Sequence, residues 1–115
     1  MTNSESIRIL GICAAQGALL FPFRSQEIVA NIEPRSVFHS KGEPQWKLNF
    51  EDIPFVRSLE EVKTSKIDLI LGSPSCGHSS VFSYSRKKSL GKPREDVTLN
   101  LYLSSVKKFK PAIFM

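Results

Sequence analysis

The sequence predicts an α/β fold built on a mainly parallel sheet. Two observations carry that expectation: short apolar runs of strand length recur along the chain, and segments with helix-starting or helix-period signals separate them. With 115 residues, 41% of them hydrophobic, the chain can bury one core, so residues 1–115 read as a single domain with no internal repeat.

The first run, Ile7 to Cys13 (IRILGIC), follows a polar start and leads into the small-residue loop Ala14-Ala15-Gln16-Gly17. A short helical turn is expected through Ala18 to Phe23, limited by Pro22, which cannot donate a helical hydrogen bond. Glu27 to Ile32 (EIVANI) reads as the second strand, ending at Glu33-Pro34. Residues 35–50, with Gly42, Pro44 and the only tryptophan, Trp46, suit a helix start or a loop. Phe50 to Phe55 offers a short third strand containing Asp52 and Ile53.

Ser58-Leu59-Glu60-Glu61 has capping-box spacing: the hydroxyl can accept from a free backbone N–H while the glutamate reaches back, so a short helix should start there. Ile67 to Leu71 (IDLIL) is the clearest buried strand, with Asp68 setting its end or bonding locally, and the turn-forming residues Gly72 to Ser80 leave it. A basic, serine-rich stretch to Arg94 reads as a surface loop. From about Glu95 to Phe109, Leu99, Leu103 and Val106 recur at helical spacing, with Lys107 and Lys108 where the helix dipole favours cations. Pro111 to Met115 (PAIFM) is expected to begin another buried strand, and a chain stopping inside it reads as truncated.

Composition narrows the function. Sixteen basic against eleven acidic residues give +5, and eight of the basic ones lie between Arg86 and Lys110, opposed there only by Glu95 and Asp96. Such a cluster suits the phosphates of a nucleic acid, although a solvated surface would look the same. Two cysteines, Cys13 and Cys76, are too few for a disulfide framework, and with His39 and His78 they form no zinc-ligand spacing, so no metal is expected. The apolar stretch Ala18 to Phe23 is too short to span a bilayer and no basic leader precedes it. The expectation is an intracellular protein, cytoplasmic or nucleoid-associated, neither secreted nor in a membrane.

In a doubly wound sheet, ligands bind beyond the carboxyl ends of the strands, where small residues let them approach and an acid holds ribose hydroxyls. The loop Ala14 to Gly17 and Glu33 suit an adenosine-containing cofactor, while an ordinary strand-to-helix turn remains the alternative, because Gly11 and Gly17 do not make the dinucleotide fingerprint. Cys76 sits in a loop just after a buried strand with basic residues nearby, a setting for a reactive thiolate. A lone cysteine is otherwise a small buried hydrophobe. Ser79 or Ser80 with His78 makes no hydrolase triad, since adjacent residues do not face one another and no nucleophile elbow is present.

Taken together, ILGICAAQGAL, IVANIEP, FEDIPF, IDLILGSPSCGHSS and REDVTLNLYLSSVKKFKPAIFM resemble the first five motifs of the DNA cytosine-5 methyltransferases, in order and approximate spacing over nearly the whole chain. The resemblance implies a Rossmann-like S-adenosylmethionine-dependent methyltransferase fold, incomplete here. It implies S-adenosylmethionine held by Ala14, Ala15, Gly17, Ala18, Leu19, Glu33, Asp52, Ile53 and Pro74, with Glu33 on the ribose and Asp52 and Ile53 at the adenine. Cys76 falls on the family's catalytic cysteine, which adds to C6 of a flipped cytosine, and Ser80, Arg86, Lys87 and Lys88 fall where DNA is held.

The chain departs from the family pattern at several positions. Ala15 replaces one glycine of the Gly-x-Gly turn, Gly11 replaces a common acid, Ser75 a proline, Gly77 a glutamine and Ser79 an aromatic residue. The sixth-motif glutamate and the target-recognition region have no counterpart, so the isolated chain is expected to bind cofactor weakly and not to transfer methyl unless a second polypeptide supplies the remainder. The alternative is a degenerate Rossmann-like module that binds nucleic acid or a partner subunit through Arg86 to Lys110.

Overall fold

The computed structural model describes residues 6–14, 17–34, 42–73 and 97–115. Within them lie five strands, β1 (Arg8–Ile12), β2 (Glu27–Ile32), β3 (Phe55–Val56), β4 (Leu69–Gly72) and β5 (Ile113–Phe114), and two α-helices, α1 (Glu43–Asn49) and α2 (Val97–Phe109). Single 3-10 turns cover Phe21–Phe23 and Leu59–Glu61. The strands form one sheet in the order β3-β2-β1-β4-β5, and every pairing is parallel. This is the α/β architecture that the alternating signals predict.

Alternation of side chains along the strands divides the core in two. Leu10, Ile12, Ala30, Ile32 and Ile70 meet Val62 and Phe109 in one cluster, while Ile9, Ile28, Leu69 and Leu71 meet Leu20, Trp46 and Phe50 in the other. Strands buried from both sides have no polar face, which is why β1 after Arg8, and β4, read as apolar runs. The β1–β2 register runs Ile9 to Ile28 and then Leu10 to Ala30, so a bulge at Val29 lets Ile28 and Ala30, two residues apart, enter opposite clusters.

Helix α1 takes up Glu43–Asn49 of the stretch that the sequence leaves open, with Gly42 and Phe50 as its caps. Pro44 lies in the first turn of α1, where no N–H is needed. Trp46 is fully buried, its ring 4.5 Å from that of Phe50 in a stacked arrangement and 5.9 Å from Phe55 edge-on. Its indole Nε1 donates to the carbonyl of Ile53 at 2.8 Å, so the large apolar body is buried with its one donor satisfied. The turn at Ser58 also forms as its spacing predicts: Glu61 Oε2 accepts from the backbone N–H of Ser58 at 2.9 Å and of Arg57 at 2.9 Å. Asp68 lies one residue before β4 and accepts from the N–H of Arg8 at 2.8 Å, fastening the start of β1 to that of β4.

Three expectations need correction. The third strand is Phe55–Val56, so Asp52 and Ile53 lie in the turn before it, because the indole of Trp46 engages the Ile53 carbonyl there. Helix α2 buries Thr98, Ser105 and Phe109, with Leu101, Tyr102 and Val106 partly covered, whereas Leu99 and Leu103 are 43% and 51% exposed. Small polar side chains let the helix approach the sheet closely, and Ser105 Oγ satisfies itself on the carbonyl of Leu101 at 2.8 Å. Strand β5 is not buried: Ile113 and Phe114 are 59% and 56% exposed, as an edge strand paired only with β4 allows.

Replacing Trp46 with alanine opens a void under α1 and beside Gly17. The expected cost is about 3–5 kcal/mol, read as a lower urea midpoint with an unchanged slope.

Candidate functional site at the carboxyl edge of the sheet

Because all strands run the same way, β1, β2, β3 and β4 deliver Cys13, Glu33, Arg57 and Ser73 to one edge of the sheet. The order reverses at β1, with β2 and β3 to one side and β4 and β5 to the other. The ends of β1 and β4 therefore mark the topological switch point, the place where open α/β sheets bind ligands.

Backbone bonds pin this edge. The N–H of Cys13 donates to Ile32 O and the N–H of Ser73 to Ile12 O, both at 2.9 Å. Cys13 is buried with its thiol free of any disulfide and takes a left-handed conformation, φ 59°. Ala14, also buried, donates its N–H to Asn31 Oδ1 at 3.1 Å, and its carbonyl accepts from the N–H of Gly17 at 2.8 Å.

Gly17 has φ +97°, and a Cβ there would lie 2.2 Å from Phe50 Cε2 and 3.1 Å from Trp46 Cε3. The glycine thus meets a requirement of the interior as well as of a turn. Ala18 and Leu19 are exposed next to it.

Glu33, one residue past β2, has no solvent exposure, and its N–H donates to Val56 O at 2.9 Å. Arg57, one residue past β3, donates from Nη1 to the Glu33 carbonyl at 3.2 Å and from Nη2 to Glu43 Oε1 at 2.7 Å, with its guanidinium 5.0 Å from the centre of the Phe55 ring. Lys47 Nζ holds the other Glu43 oxygen at 3.3 Å. Burial alone would raise the Glu43 carboxyl, but Lys47 and Arg57 outweigh it and hold the group below its ordinary value. The clasp ties the first turn of α1 to the ends of β2 and β3.

The residues expected at the site are therefore only partly gathered. Gly17 and Ala14 follow β1 and Glu33 follows β2 at the shared edge, whereas Asp52 is exposed in the turn that precedes β3, on the side away from that strand's carboxyl end. Ile53 is half-buried beside it. Ala15, Pro74, Cys76, Ser80, Arg86, Lys87 and Lys88 lie outside the described residues.

Two residues at the edge were passed over in the sequence. Arg57 had a signal, a cation directly between the FV run and the capping box. Asn31 had a stronger one, a polar side chain inside the apolar run EIVANI.

A mainly apolar cavity of about 180 Å³ lies between the middle of β2 and the segment Glu61 to Thr64, where Val29, Ala30, Pro54 and Val62 meet Glu61, Lys63 and Thr64 at its wall. It sits away from the carboxyl edge and falls below the ~300 Å³ at which small-molecule pockets begin. Among the described residues no three His, Cys, Asp or Glu side chains gather as metal ligands, and no helix is long and apolar enough to cross a membrane. No protein-family profile, curated protein or solved structure matches the chain.

Two outcomes follow from this geometry. Gly17→Ala forces a side chain into the Phe50 ring at a left-handed position, and should lower stability by more than ~1 kcal/mol in urea titration. Because the folded Glu43 carboxyl lies below 4.5, the stability it adds is complete above that value and lost as pH falls through the folded value. The stability difference between the protein and Glu43→Gln should accordingly shrink as urea melts are taken from neutral pH to well below 4.5.

Proposed function

We propose that this chain is the cofactor-binding and nucleophile-bearing part of a DNA cytosine-5 methyltransferase, with a Rossmann-like methyltransferase fold. The observation that carries the reading is the all-parallel order β3-β2-β1-β4-β5. It brings the loop after β1, the acid after β2 and the start of the segment after β4 to one edge, and the resembled motifs run in the same order along the chain.

S-adenosylmethionine would lie over this edge and supplies, when bound, an electrophilic methyl group. Ala14, Ala15, Gly17, Ala18 and Leu19 would line its approach, Glu33 would take the ribose hydroxyls and Pro74 would stand beside it. The fit is uneven. Glu33 has the right place and chemistry, but its full burial means that the groups covering it must move before a ribose reaches it. Asp52 stands away from the edge, so Ile53 and Asp52 contact adenine only if the turn before β3 rearranges.

Cytosine inside a duplex must be flipped out before it can be attacked, at a cost of a few kcal/mol. The Cys76 thiolate then adds to C6, and the electron pair released to C5 makes that carbon the nucleophile. Ser80, Arg86, Lys87 and Lys88 would hold the DNA backbone. Turnover in this reading also uses a base-binding glutamate and a target-recognition region carried on further sequence, such as a second polypeptide.

DNA containing 5-fluorocytosine tests the assignment, because fluorine at C5 blocks release of the thiolate. In the presence of cofactor and a polypeptide supplying the later motifs, the chain should form a covalent DNA adduct that Cys76→Ser abolishes. Adduct formation that survives the substitution rules out Cys76 as nucleophile. If instead the chain is a binding module without catalysis, no adduct forms and salt-sensitive DNA binding is indifferent to Cys76→Ser. The exposed cations Lys107, Lys108 and Lys110 at the end of α2 favour that second reading.

A further inference from the structure

We propose that Asn31 is a positioning residue: its carboxamide, given room by Gly11, fixes Ala14 just past the end of β1 and through it sets cofactor affinity. The second half of this statement rests on the methyltransferase reading, whereas the first does not.

Asn31 lies inside β2 with no solvent exposure. Leaving one polar group of a buried amide unmet costs about 1–3 kcal/mol, and here Nδ2 has no hydrogen-bond partner. An apolar residue would serve the strand better. The other end of the amide explains its presence, since Oδ1 accepts from the N–H of Ala14 at 3.1 Å, 17 residues away in sequence. Turning the amide over would set Nδ2 against that N–H, donor to donor, so the orientation is fixed by its single bond.

Two consecutive residues of β2 thereby hold two consecutive donors of the loop: the Ile32 carbonyl takes the N–H of Cys13, and Asn31 Oδ1 takes that of Ala14. Between them Cys13 is left-handed, a conformation that costs a non-glycine residue about 1–2 kcal/mol and persists only where its surroundings enforce it. The turn to Gly17 then hangs on the Ala14 carbonyl.

Gly11 completes the arrangement. It pairs directly with Asn31 across the sheet, and a Cβ on it would lie 3.1 Å from Asn31 Oδ1 and 2.6 Å from Leu20 Cδ1. Any larger residue at position 11 would have to displace Leu20 and crowd the carboxamide. A glycine where the resembled family often has an acid, and an asparagine buried opposite it, are thus one device.

Amide hydrogen exchange followed by NMR on the free chain tests the loop clamp, and calorimetry with S-adenosylmethionine, in the presence of a polypeptide supplying the later motifs, tests its consequence. Asn31→Leu keeps the volume and removes the acceptor; Asn31→Asp keeps the acceptor and removes the unmet donor. In Asn31→Leu the Ala14 amide should exchange at least about tenfold faster while Leu10 and Ile70 keep their protection, and Asn31→Asp should restore Ala14. Cofactor affinity should fall about tenfold in the leucine variant and recover in the aspartate variant.

Unchanged Ala14 exchange in Asn31→Leu overturns the clamp. If Leu10 and Ile70 lose protection along with Ala14, Gly11→Ala provides the second route, and slow Ala14 exchange there also overturns it. Fast Ala14 exchange with no cofactor binding by any variant, the unaltered chain included, even beside the polypeptide that supplies the later motifs, upholds the clamp and overturns the methyltransferase reading.

Discussion

The structure depends on the burial of β1 between two parallel neighbours. Its backbone is paired on both edges, with β2 and β4, and its side chains enter both core clusters. A strand so enclosed has nowhere to send the donors and acceptors that follow its last residue except to the strands beside it. The Cys13 and Ala14 N–H groups turn to β2, and the Ile12 carbonyl accepts from Ser73 beyond β4. The geometry of the carboxyl edge is therefore set by central pairing, and the candidate site inherits its rigidity from β1.

Much of this was legible in the sequence because burial on both faces leaves a plain trace. EIVANI forms the strand that its apolar run predicts, and the capping-box spacing at Ser58 gives a turn closed by Glu61. Other features were less visible because tertiary contacts decided them. The sequence left residues 35–50 open between helix and loop, and Trp46 sorts part of that stretch by stacking on Phe50 and drawing in the Ile53 carbonyl. The same bond ends the third strand short of Asp52. In α2 the leucines at helical spacing form an exposed ridge, because Thr98 and Ser105 allow a closer approach than leucine would. Hydrophobic period located the helix but not the face it turns inward.

Gly17 shows how one residue can satisfy two explanations. Its position after β1 suits a ligand-cradling turn, and sequence alone favours that account. In the folded chain the space beside its Cα belongs to Phe50 and Trp46, and its positive φ closes the bond to Ala14. The interior alone therefore requires a glycine here, and its presence adds little to the argument for a cofactor. Asn31 is different, because a buried amide with an unmet donor does not improve the packing of the strand that carries it.

The backbone of Glu33 completes the ladder through Val56 and receives Arg57, and any residue with a carbonyl and an N–H would do both. Arg57 is also bound at 2.7 Å by Glu43 in the first turn of α1, so one side chain joins the helix to the strand end. The ladder and the clasp therefore hold the end of β2 through its main chain, independently of which side chain stands there.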